Sequence, residues 1–185
     1  MFNIFNGIYN YVILKIFNVS IRQKYKIKGR LFIRNRGSII IGKNLNINSG
    51  ITKNPIGSDT ITRLVCRKGG EILIGNNVGI SNSTIVSSCG VTISDNVLIG
   101  GGCRIWDTNF HSLIPSERES HSEKNIKSRR IQINANSFIG GGSIILLGVT
   151  VGKNSVVGAG SVVSDNIPDN QIWAGNPAVK IRDLN

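Results

Sequence analysis

Acid, cysteine, histidine, aromatic rings and unbroken apolar runs are all scarce in this chain of 185 residues, and each shortage removes a class of protein. Ten Asp+Glu stand against 22 Lys+Arg, a formal net charge of +12. Because only 17% of residues are charged and 40% are hydrophobic, a disordered basic tail is excluded and one folded domain is expected. The positive balance suits an anionic partner without choosing among nucleic acid, a phosphorylated cofactor, an acidic polymer and a membrane face. Aromatics at 6% and the lack of a recognition motif argue against nucleic acid. Cys66, Cys89 and Cys103 are odd in number and lack CxxC spacing, which excludes a disulfide framework and a zinc ribbon. Free thiols predict a cytoplasmic protein. Two histidines, His111 and His121, cannot supply a three-histidine zinc site, so no metal is expected. The most apolar stretch, residues 2–17, is interrupted by Asn3, Asn6, Gly7, Asn10 and Lys15. It is too broken for a membrane span of roughly 20 residues and lacks the basic start and cleavage site of a secretory signal.

What is present begins with a helix signal. Phe2, Phe5, Tyr9, Val12 and Ile16 recur at helical spacing, with Asn3, Asn6 and Asn10 on another stripe. That pattern predicts an amphipathic helix docked on the rest of the protein or on a neighbouring subunit. Arg22, Lys24, Lys26, Lys28 and Arg30 then occupy every second residue, one charged face of a strand. A solvated face is the first reading of this stripe; attraction to an anionic glycan or a lipid-phosphate carrier, hence peripheral membrane association, is the second. Residues 1–30 are set apart on these grounds from residues 31–182.

The rest of the chain is governed by a period of six. Aliphatic residues run Ile133, Ile139, Ile145, Val151, Val157, Val163 without a slip. An earlier run reads Ile74, Ile80, Val86, slips by one residue, and resumes at Ile93, Ile99, Ile105. Gly or Asn punctuates nearly every unit, as at Asn77, Asn96, Gly140 and Gly158, and both tolerate the positive φ of tight corners. A six-residue unit fits neither a 3.6-residue helix nor a long two-sided strand. It reads as a short strand plus a corner, with three sides closing a coil and successive coils pairing at about 4.8 Å. The period therefore predicts a mainly β protein, a parallel β-helix interrupted by a polar loop over 106–131.

Ile-Gly-Gly-Gly-Ser at 139–143, Gly-Val-Thr-Val-Gly-Lys-Asn at 148–154, Val-Gly-Ala-Gly-Ser-Val-Val at 157–163 and Ala-Gly-Asn-Pro-Ala at 174–178 resemble the hexapeptide-repeat acyltransferases. The resemblance covers roughly residues 70–182. It is narrowest to the maltose, galactoside and bacterial polysaccharide O-acetyltransferases, and it implies a left-handed coil, a homotrimer, acetyl-CoA as cosubstrate and a carbohydrate acceptor. The segment Asp107-Thr108-Asn109-Phe110-His111-Ser112-Leu113 resembles that branch's catalytic loop, whose single His is the general base; an imidazole suits proton transfer near neutral pH. His111 takes that role by resemblance, and His121 is expected to be a solvated loop residue. Asp107 is the nearest carboxylate in sequence to orient the ring, with a backbone carbonyl or Glu117 as alternatives. Asn82 and Asn109 are assigned to the acceptor. Phe138, Gly141, Gly142, Ala159, Ser164 and Lys180 are assigned to the donor, Phe138 standing where relatives carry Trp. Asp165 departs from the Lys often found there, and Lys180 with Arg182 could compensate. Three alternatives stay open: a non-catalytic solenoid scaffold, an N-acetyltransferase acting on an amino sugar, and a γ-class carbonic anhydrase, the last opposed by the histidine count.

Overall fold

Three flat faces wind around one aliphatic interior in the computed structural model of the chain, which describes residues 4–22, 24–57, 60–120 and 123–184. The first and third faces have six strands each and the second has eight, and all pairs are parallel except the last. The coil is a left-handed β-helix, as the resemblance implied. Its interior is made of stacked rows in register. On the first face the row is Ile41, Ile74, Ile93, Ile133, Val151. On the third face it is Ile33, Leu64, Ile85, Ile105, Ile145, Val163. All of these are buried, each contributing about 1.5–3 kcal/mol against chain entropy. The slip in the earlier run is resolved here: Ile85 takes the interior position, and Val86 turns outward toward a surface cleft.

Each corner solves the turn differently. Between the first and second faces, Asn44, Asn77, Asn96, Asn136, Asn154 and Asn170 stack with φ between 56° and 61°. Their side-chain amides form a continuous ladder, each Nδ2 donating to the next Oδ1 at 2.7–3.0 Å. Asparagine is chosen because it tolerates the left-handed region and its amide is both donor and acceptor. Between the second and third faces glycine does this work: Gly102, Gly142 and Gly160 have φ of 72–75°. A Cβ at Gly140 would approach the Ala159 amide nitrogen to 2.5 Å, so close stacking requires glycine there. The corner between the third and first faces carries the long polar insertion.

The ends are closed by other means. Helix α1 (Ile4–Ile16) lies over the first coil, and the face it turns to its own coil is not the expected apolar stripe but one that buries Asn10 and Leu14. Asn10 is buried, donating to the Gly29 carbonyl at 2.8 Å and accepting from the Leu31 N–H at 3.0 Å. Asn6 accepts from Arg30 Nε. Of the apolar stripe, Phe5, Val12 and Ile16 face solvent, Tyr9 lies at the boundary with Arg30 over its ring, and Phe2, like Asn3, lies outside the described residues. An open coil end exposes unpaired backbone groups, and Asn10 satisfies two of them, with the Tyr9 hydroxyl donating to the Leu31 carbonyl at 3.3 Å. The solenoid also starts before residue 31, because strands at Ser20–Ile21 and Tyr25–Lys28 already pair with the second coil. At the other end, Gln171–Gly175 and Ala178–Asp183 form an antiparallel hairpin. No helix among the described residues is long and apolar enough to cross a membrane.

Candidate active site

The polar insertion is anchored by one buried carboxylate. After Trp106 the chain leaves the third face, and Asp107 accepts from Ser87 Oγ (2.9 Å) and from the N–H groups of Ser88 (2.6 Å), Cys89 (2.9 Å) and Gly90 (2.6 Å). Converging N–H groups of a turn make a ready anion cradle. The two ends of the loop are zipped above it: Arg129 N–H donates to the Asp107 carbonyl, Asn109 N–H to the Lys127 carbonyl, and Thr108 bridges Ser128. Beyond this zip, His111 N–H donates to the Asn109 carbonyl at 2.7 Å around Phe110, whose φ is 62°. A three-residue turn with positive φ at an aromatic residue is strained, and such strain collects where a side chain must be aimed. The Phe110 ring meets Trp106 edge-on at 5.8 Å. A short helix, α2 (Pro115–Glu119), follows; Glu117 accepts from Ser112 Oγ at 2.5 Å and also from Asn125. The His111 imidazole is exposed and has no hydrogen-bond partner among the described residues.

Two adjoining cavities of about 630 and 320 Å³ flank this turn. They share Arg67, Phe110, Glu123 and Ile126, and His111 lines the smaller. The larger is walled by Arg34, Arg36, Arg67 and Lys68. Arg67 has Glu123 at 4.0 Å, whereas Arg34, Arg36 and Lys68 have no partner among the described residues. Ser88 lines the same cavity, with its Oγ turned inward, buried and without a partner among the described residues. Sequence reasoning missed this cationic wall. Arg34 and Arg36 continue the alternation of the basic stripe, which was a usable signal; Arg67 and Lys68 join them only because the coil brings successive corners together.

Two assigned residues are placed where their expected roles fail. Asp107 does not orient His111, because both its oxygens are taken by the Ser87–Gly90 corner and it is fully buried. Glu117, the alternative, is likewise engaged by Ser112 and Asn125. Asn82 cannot reach an acceptor in this chain: it is fully buried with φ 40°, accepts from Gly50 N–H at 2.7 Å, and donates to the Asn54 carbonyl at 2.8 Å. It fastens a second insertion, residues 49–62, that the period did not reveal. Asn109 stands beside His111, its side chain without a hydrogen-bond partner among the described residues. His121 lies outside the described residues.

The donor set is split. Gly141, Gly142 and Ala159 lie together at the glycine corner, where the N–H groups of Gly141 and Ala159 donate to nothing among the described residues. Ala159 is exposed, and a Cβ added at Gly160 meets nothing within 4 Å. Phe138, 44% exposed, pairs with Leu98 on the adjoining second face. Ser164 is across the third face at the loop corner, hydrogen-bonded to Asp165. Lys180 is on the C-terminal hairpin, ion-paired to Asp183 at 2.8 Å. His111 and the glycine corner thus occupy opposite edges of the third face. Burial pushes the thiols of Cys66, Cys89 and Cys103 above their ordinary range, with Asp107 adding to the effect at Cys89 and Cys66; a protonated thiol is a poor nucleophile.

Residues 130–165 match the family model described as the hexapeptide repeat of succinyl-transferase. The chain is 36% identical over 104 residues to a galactoside O-acetyltransferase of Lactococcus lactis, covering 56% of this chain and 48% of that protein. It is 41% identical over 104 residues to the galactoside O-acetyltransferase of Escherichia coli, covering 56% and 49%. The chain therefore spans about half the length of the curated relatives it matches. Among solved structures, a galactoside acetyltransferase in complex with coenzyme A superposes with a TM-score of 0.62 at 28% identity, covering 95% of this chain and 69% of that one. The chain thus carries a match to the hexapeptide repeat over residues 130–165, and in coil and sequence it is similar to galactoside and maltose O-acetyltransferases.

Proposed function

We propose that the protein is an acetyl-CoA-dependent O-acetyltransferase acting on a carbohydrate hydroxyl, and that it works as a homotrimer in the assembly of a surface polysaccharide. The observation that carries this reading is His111: an unpartnered, exposed imidazole aimed by a strained turn into a cleft, on a coil whose relatives are O-acetyltransferases. In the reaction, His111 takes the proton of the acceptor hydroxyl as its oxygen attacks the acetyl thioester carbonyl. Backbone N–H groups hold the tetrahedral oxyanion. The imidazolium then returns the proton to the departing sulfur, and no covalent enzyme intermediate forms.

The donor fits the glycine corner, where the free N–H groups of Gly141 and Ala159 suit the carbonyls of a pantetheine arm and the wall is uncharged. Because that corner and His111 lie on opposite edges of one face, a complete site takes one edge from each of two chains. A head-to-tail contact of two different edges closes into a ring, and a trimer of such contacts makes three sites. The acceptor end, with unpaired Arg34, Arg36 and Lys68, suits a sugar that carries phosphate. The test is thiol release from acetyl-CoA with neutral sugars, sugar phosphates and nucleotide sugars as acceptors. Acceptor-dependent release, preferring the phosphorylated sugars and abolished in His111→Ala, is expected; release that His111→Ala leaves unchanged would overturn the reading.

A further inference from the structure

The end of the coil that α1 covers is built unlike any other part of the molecule. With its asparagines turned inward, α1 presents Ile4, Phe5, Ile8, Tyr11, Val12 and Ile16 to solvent, Ile4 and Phe5 being 75% and 76% exposed. Lys15 is the helix's one charged residue. An apolar face of this kind is ordinarily the one that a protein covers. Around it runs the first coil, residues 19–36, whose seven cations (Arg22, Lys24, Lys26, Lys28, Arg30, Arg34, Arg36) are all exposed and which holds no acid. The imbalance extends further: the first 58 residues contain ten Lys+Arg and no Asp or Glu, while the remaining 127 contain 12 Lys+Arg and all ten acids.

We propose that this end docks on an anionic lipid bilayer, with α1 lying in the plane of the interface and the cations of the first coil over the headgroups. An apolar helix face rimmed by cations is the arrangement that binds such surfaces, through buried apolar area together with attraction to acidic lipid. Each basic residue close to the surface is worth about fivefold in affinity. At 13 residues α1 is too short to span, so it lies on the membrane instead of crossing it. Charge selects the bilayer over a second copy of the chain, because pairing two such ends would press together two cationic coils that have no acid to offset them. In a cyclic trimer the three ends point the same way, so three helices meet one plane and their affinities reinforce one another. Docked in this way, the Arg34 and Arg36 wall of the cleft stands beside the headgroups, which suits an acceptor carried on a lipid phosphate.

Co-sedimentation of the full chain with phosphatidylcholine vesicles, with and without phosphatidylglycerol, tests this without reference to turnover. The expected result is binding that requires phosphatidylglycerol and weakens with salt. The double variant Ile8→Glu, Val12→Glu should lose binding by about tenfold or more, since both positions are exposed and an acid at the interface opposes both forces. Lys15→Ala with Lys28→Ala should lose at least about 25-fold, two charges per chain at fivefold each, and more where the three chains of a trimer bind together. Unchanged melting temperatures would show that both variants fold. No binding to phosphatidylglycerol vesicles at low salt, or binding untouched by the glutamates, overturns the proposal. Self-association that the glutamates abolish, without vesicle binding, assigns the face to a second copy and overturns it equally.

Discussion

Replacing Asp107 by Asn separates an anchoring carboxylate from a catalytic one. The carboxylate accepts four hydrogen bonds from the Ser87–Gly90 corner and is wholly buried. Three of the four donors converge on Oδ2 and only the Ser88 N–H on Oδ1, so an amide that keeps its oxygen at the Oδ2 position turns an NH₂ group toward the Ser88 N–H, losing that bond, and meets the other three donors with an uncharged oxygen. Hydrogen bonds to charged groups contribute about 1.5–3 kcal/mol each, and an orphaned buried donor costs about 1–3 kcal/mol. A destabilisation of about 3–5 kcal/mol follows. For a chain of this size that corresponds to a fall of about 10 °C in apparent melting temperature. Circular-dichroism melts of Asp107→Asn and the parent, with kinetics measured well below both transitions, supply the comparison. A variant that melts with the parent yet loses kcat by about a hundredfold would assign Asp107 to catalysis instead, because that is how a residue acting on the His111 ring behaves.

His111→Ala should show the opposite pattern, with turnover down by about 10² or more and melting unchanged, since the imidazole is exposed and has no hydrogen-bond partner among the described residues. Ala159→Leu should raise the acetyl-CoA KM steeply at any ionic strength, as it fills the open wall beside Gly160, again without loss of folding. Asn96→Ala should cost about 1–2 kcal/mol in denaturant melts by breaking two ladder links and removing the amide that offsets the strain of a Cβ at φ 60°, and Asn96→Gly, which has no Cβ to strain, should cost less. Iodoacetamide near neutral pH should leave activity intact, because burial holds all three thiols protonated; rapid inactivation would contradict that.

The coil was legible because its interior is periodic: from Ile133 to Val163 the six-residue spacing and the buried rows coincide. Val86 was misread since Ile85 and Val86 are both β-branched, and only pairing with Leu64 and Ile105 decides which one turns inward. The face of α1 was misread for a different reason. Periodicity reports which residues are apolar, whereas the open end of a coil selects hydrogen-bonding side chains, so Asn10 outcompeted Phe5 for the interior. At the site, His111 stood out as a break in the repeat. Asp107 and Asn82 did not reveal their roles, because the partners that occupy them lie 17–20 and 28–32 residues away in sequence. The cationic wall was hidden for the same reason, as Arg34 and Arg67 meet only after a full turn with its insertion.

Mixed oligomers of His111→Ala and Ala159→Leu test the central claim, a site assembled from the loop corner of one chain and the glycine corner of its neighbour. Each variant alone should be inactive. In trimers reassembled from equal amounts, an interface works when an intact His111 meets an intact Ala159, which random mixing gives at about one interface in four. Co-refolding should recover about one quarter of the parent's acetyl-transfer activity. Mixed trimers that form but show no activity above either variant alone would contradict it, and would place the whole site within a single chain.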